Sequence, residues 1–98
     1  MIIRIVKMTF VTEKREEFVK VFNASKELIR NFEGCKHLKL LNDQNNPSIF
    51  FTYSIWDSEI NLERYRNSEL FKTTWAKTKI LFSDKPKAWS TQALAELS

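Results

Sequence analysis

Ser48-Ile49-Phe50-Phe51-Thr52-Tyr53-Ser54-Ile55-Trp56 decides the reading of the fold. Almost every residue in it is β-branched or aromatic, the side-chain types that suit a pleated, half-buried surface. Both parities are apolar, so this strand is expected to have both its faces covered. Immediately upstream, Asn42-Asp43-Gln44-Asn45-Asn46-Pro47 concentrates turn formers. Cys35 to Leu41 before it is a second strand, which makes the pair a hairpin.

Further out, Ile2 to Phe10 is another strand with apolar residues on both faces, hence a central one. Thr12 is the expected N-cap of the helix that follows, with Glu13, Glu16 and Glu17 in the first turn, where the helix dipole favours anions. Phe18, Phe22, Ser25, Ile29 and Phe32 recur at helical spacing, and Val19 and Leu28 widen the stripe. Gly34, the only glycine, is expected as the left-handed residue that ends this helix. Downstream, Asp57 or Ser58 caps a short helix reaching about Asn67. Ser68 caps another, with Leu70, Phe71, Thr74, Trp75, Thr78, Leu81 and Phe82 on its apolar side. Ser83-Asp84-Lys85-Pro86 breaks that helix, and Ala88 to Leu94 is a last strand.

The order is strand, helix, strand, strand, split helix, strand. It specifies an α+β, ferredoxin-like split-βαβ domain: a four-stranded antiparallel sheet with helices on one face. One domain spans residues 1–98. The other sheet face is left bare, and a second copy is its simplest cover, so a homodimer is expected. Eight Phe, two Tyr and three Trp are more large aromatics than a monomer this small can bury, which points to a pocket or an interface. With one cysteine there is no internal disulfide, and a reducing, cytoplasmic setting follows. Arg4 and Lys7 interrupt the apolar N-terminus, which is therefore not a signal peptide, and no stretch is long enough to span a membrane. The net charge of +4 implies only a weak attraction for anions.

Several patterns then line up: Glu17-Phe18 on the long helix and Glu33-Gly34-Cys35 after it, Asn46-Pro47 before Phe50, Trp56 closing the third strand before Ser58-Glu59, and Tyr65 followed by Asn67-Ser68-Glu69-Leu70-Phe71. Over Ile2 to about Leu94 the chain resembles the antibiotic biosynthesis monooxygenase family of dimeric α+β barrels. The resemblance implies cofactor-free oxygenation of quinols or polyphenols, or haem degradation in one branch. That branch places a haem-ligating His where this chain has Trp75 and an Asn where it has Val6. Indole cannot ligate iron, so no haem or other cofactor is expected. Many other members carry a His on the short helix, where Tyr65 stands here.

Oxygenation without a cofactor needs a substrate that itself gives electrons to dioxygen, in a dry apolar pocket with oxyanion donors and, in some cases, a base. The catalytic candidates are Tyr65, as a hydroxyl donor, and His37, the only side chain that titrates naturally near neutrality. Trp56, with its N–H as a further donor, and Phe71, Trp75, Val6 and Tyr53 are the candidate substrate-binding residues for a small aromatic molecule. Cys35 and His37, two apart on a strand, are expected to share a face; two ligands fall short of a metal site, and no metal is expected. Cys35 is expected to be a small buried hydrophobe. Nucleic-acid binding is not expected, because the third strand lacks the basic residue and glycine of the RNA-recognition signature. A non-catalytic homodimer that binds an apolar or aromatic molecule is the competing reading.

Overall fold

The computed structural model describes residues 1–98 and has the expected topology. Strands β1 (Ile2–Thr9), β2 (Cys35–Asn42), β3 (Ile49–Trp56) and β4 (Lys87–Thr91) form one antiparallel sheet in the order β2-β3-β1-β4. The two strands with apolar residues on both faces, β1 and β3, lie in the centre. Helices α1 (Arg15–Arg30), α2 (Glu59–Arg66) and α3 (Glu69–Lys79) complete the ferredoxin-like α+β fold.

The ladder determines which side chains meet the helices. Met8 pairs with Phe50, Val6 with Thr52, Arg4 with Ser54 and Ile2 with Trp56. Directly opposed residues point to the same side of a sheet, so these form the helix-facing floor. The core sits on that floor. Phe10 stacks on Phe18 of α1, ring centroids 4.2 Å apart, and both meet Phe50 edge-on. Met8 and Leu81 complete this cluster, while Cys35, Trp56 and Leu62 form a second one beneath α2. Removing a ring such as Phe10, which is 1% exposed, would cost about 3–5 kcal/mol.

The alternate residues, Ile3, Ile5, Phe51, Tyr53 and Ile55, project from the opposite face, which no helix covers. Leu41 and Trp89 on the edge strands extend that face and are 43% and 46% exposed. Only 12 of the 98 residues are buried in the single chain, so much of its apolar surface is open to solvent.

Five local expectations are corrected. Thr12 does not cap α1: it opens a 3₁₀ turn, Thr12–Lys14, and α1 begins at Arg15 with no side-chain cap. Leu28 does not widen the buried stripe but is 61% exposed on the far side of α1. Gly34 has the expected positive φ (+88°), yet α1 has already ended at Asn31, so the glycine serves the turn into β2. Leu81 and Phe82 lie past the end of α3, where Phe82 bridges to Phe10. The last strand is Lys87–Thr91 rather than Ala88 to Leu94, an exposed edge that stops where its pairing with Ile3 ends. No helix is long and apolar enough to cross a membrane.

Candidate functional site

Between the sheet floor and the helices lies a cavity of about 330 Å³, within the range of small-molecule sites. Its aromatic wall is built by helix capping. The Ser58 hydroxyl accepts the Asn61 backbone N–H at 3.2 Å and starts α2. Ser68 accepts the Phe71 N–H at 3.1 Å and donates to the Tyr65 carbonyl at 2.6 Å, fastening the end of α2 to the start of α3. Such caps contribute about 1 kcal/mol each. Here they also fix the ring sequence: Trp56 stacks on Tyr65 (4.9 Å, 26°), Tyr65 meets Phe71 edge-on (5.3 Å), and Phe71 lies parallel to Trp75 (5.7 Å, 10°). The last pair are four residues apart on α3, hence on one face. Val6 lies on the floor opposite them.

Trp56, Tyr65, Phe71, Trp75 and Val6 are thus brought together around one cavity. His37 and Tyr53 are not. They pack edge to face with each other (5.8 Å, 85°) on the uncovered side of the sheet, with the Lys39 ammonium 5.3 Å from the centre of the Tyr53 ring. Tyr53 is there by the ordinary alternation of β3, and a register irregularity in β2 puts His37 beside it. Cys35 pairs with Trp56, but His37 pairs with Ile55, so the extra residue puts Cys35 on the helix side and His37 on the other. Cys35 and His37 therefore do not share a face. Cys35 is buried, and burial raises the pKa of its thiol, keeping it protonated. No three His, Cys, Asp or Glu side chains converge as a metal site would require.

The polar groups at the cavity are mostly donors. Burial, helped by nearby Cys35, holds the Tyr65 phenol well above the ordinary tyrosine range. Its hydroxyl therefore serves as a proton-bearing donor rather than a base. That hydroxyl has no hydrogen-bond partner in the chain and is not sealed off from solvent, and Tyr65 is one of the residues that line the cavity. The Trp56 N–H is not available, contrary to expectation: it donates to the Ser54 hydroxyl at 3.0 Å inside the core. Ser54 then keeps its own O–H as a donor at the cavity floor. Arg4 and Arg66 also line the cavity. Neither Ser54 nor Arg4 stands out in the sequence by type, but both could be found by period. Arg4 is in phase with Val6 and Met8, whereas Lys7 is out of phase.

A model of the family described as "Antibiotic biosynthesis monooxygenase" matches residues 1–77. A solved structure of an antibiotic biosynthesis monooxygenase, organism not stated, superposes with a TM-score of 0.91 at 17% identity, covering 97% of this chain and 100% of that one. A conserved protein from Methanosarcina mazei Go1 superposes with a TM-score of 0.88 at 22% identity, covering 94% of this chain and 92% of the other. At these identities the superpositions establish the fold. No curated protein matches the sequence.

Proposed function

The chain belongs to the antibiotic biosynthesis monooxygenase family, and from that premise we propose that it is a cofactor-independent monooxygenase of a small aromatic substrate, a quinol or polyphenol, bound between sheet and helices. The supporting observation is the aromatic cavity, with donor groups but no carboxylate or imidazole at its lining. In this reading the substrate supplies the electrons. A hydrogen-bearing ring carbon ortho or para to the phenolate oxygen transfers electrons to dioxygen, a C–O bond forms there, and the peroxide takes up a proton. Loss of the C–H proton with cleavage of the O–O bond releases water and leaves a quinone carbonyl. One oxygen atom thus enters the product and the other leaves as water. The rings of Tyr65, Phe71 and Trp75 exclude bulk water and hold the substrate by stacking, and the Tyr65 hydroxyl donates to the developing oxyanion.

The functional unit is a homodimer in which the bare faces, centred on Ile5, Tyr53 and Phe51, cover one another. A cytoplasmic setting fits a lone buried thiol. One observation favours the second reading, a non-catalytic binding protein of the same fold: no general base reaches the cavity, since His37 lies on the opposite side of the sheet.

Oxygen uptake by the purified protein against a panel of hydroquinones, corrected for autoxidation, tests the proposal. Saturable uptake that falls in Tyr65→Phe and Trp75→Phe supports it. Binding of the hydroquinones with no uptake above background supports the binding protein instead.

A further inference from the structure

The charged residues lining the cavity are Arg4, Arg66 and Lys87, all cations. Arg4 is the informative one. It stands on a central strand among side chains that face the helices, and it is partly buried. Its Cα partners on either side are Ser54 and Ser90, and its Nη1 donates to the Ser90 hydroxyl at 3.0 Å. None of the chain's ion pairs includes Arg4. Most of its guanidinium donors are therefore without a protein partner. Arg66, the last residue of α2, already holds Glu63 at 3.0 Å. Burial and the charge of Arg66 both lower the pKa of Arg4, and Glu63 offsets this only in part. A partly desolvated guanidinium beside a second one, without a carboxylate of its own, is unfavourable in the empty protein and is relieved when an anion enters.

We propose that the cavity selects aromatic molecules bearing a planar oxyanion, of which a ring carboxylate is the simplest case, with Arg4 and the Ser54 hydroxyl holding the anion and Arg66 adding charge at its side. This deepens the reading of the cavity as the substrate site and rests on it. The fork of a guanidinium matches two coplanar oxygens, while the stacked rings of Tyr65, Phe71 and Trp75 take the apolar body. An acid group placed at Arg4 would orient every such ligand the same way, with its ring towards α3.

Calorimetric titration with 2-naphthoate and with its neutral analogue 2-naphthylmethanol tests this. The carboxylate is expected to bind about tenfold or more tighter, as a charge-assisted hydrogen bond warrants. In Arg4→Met the preference should fall to about threefold or less, with 2-naphthylmethanol binding unchanged. Arg66→Gln, a change on the exposed end of α2, should reduce the preference by a smaller factor, and it serves if Arg4→Met fails to fold. Equal affinity of the two probes for the wild-type protein would overturn the anion selectivity while leaving the aromatic cavity standing. Failure of both to bind would overturn the cavity as a ligand site and the selectivity with it. An undiminished preference in both variants would overturn the roles of Arg4 and Arg66.

Discussion

Replacing Gly34 with alanine should destabilise the fold by about 2–3 kcal/mol, and the structure supplies each contribution. Gly34 has φ +88°, where an L side chain costs roughly 1–2 kcal/mol. Against that, alanine stiffens the unfolded chain and returns about 0.4–1 kcal/mol. The space is also filled. A Cβ there would collide with the Asn61 Cβ and come within 2.6 Å of the Asp57 Oδ1 and 2.7 Å of the Asn61 Nδ2. Those two side chains are hydrogen-bonded to each other at 2.8 Å, and the Asp57 backbone N–H donates to the Gly34 carbonyl at 2.9 Å. Separating them costs a further 0.5–1.5 kcal/mol or so for each bond lost. For a chain of this size the sum corresponds to a fall in Tm of roughly 10–20 °C. Thermal unfolding followed by circular dichroism, at one fixed protein concentration, measures it. A Tm within two or so degrees of wild type would refute both the strain and the clash. The consequence reaches the cavity, because Asn61 is in the first turn of α2, the helix that presents Tyr65.

Two further predictions concern titration and assembly. Burial raises the pKa of both Tyr65 and Cys35 in the folded chain, so their contribution to stability is complete below the unfolded pKa values and is lost as pH rises past them. The urea midpoint should therefore fall between neutral pH and about pH 10.5, and fall less in Tyr65→Phe; a flat or rising midpoint over that window would contradict the burial of these groups. Ile5→Glu places a carboxylate at the centre of the uncovered sheet face, between Tyr53 and Trp89. Sedimentation should then give the mass of one chain where wild type gives two, and an unchanged mass for both proteins would rule that face out as the dimer contact.

The topology was legible because period and turn chemistry agreed. A β-rich run from Ser48 to Trp56, a turn from Asn42 to Pro47 and a helical stripe from Phe18 to Ile29 leave few arrangements open. The aromatic half of the site was legible for the same reason: Phe71 and Trp75 are four apart on a helix, and Trp56 closes a strand next to it. What escaped the sequence depended on single-residue events. An irregularity between Cys35 and His37 reverses which side His37 occupies, and nothing in Cys-Lys-His announces it. Tyr53 needed no such event: its parity on β3 is opposite to that of Ser54 and Trp56, so simple alternation already put it on the other face. Arg4 was missed for a different reason: it looked like an interruption in an apolar strand, although its phase with Val6 already put it on the floor of the cavity.

These placements together constrain the chemistry. With His37 across the sheet and Tyr65 held protonated, no imidazole or carboxylate reaches the cavity to take a proton from a substrate of ordinary phenol acidity, near pKa 10 or so. Cations and hydroxyl donors do line it, and they favour an anion over its conjugate acid. A phenol entering such a site has its own pKa lowered by Arg4 and Arg66, in the way that neighbouring guanidinium groups lower that of a carboxyl. Selection for an oxyanion and activation towards dioxygen would then be the same electrostatic effect, since the phenolate is the form that can give up electrons. It follows that Arg4→Met should lower oxygen uptake most for weakly acidic hydroquinones and least for those already ionised at the assay pH. A uniform loss across substrates of different acidity would instead mean that Arg4 only helps to hold them.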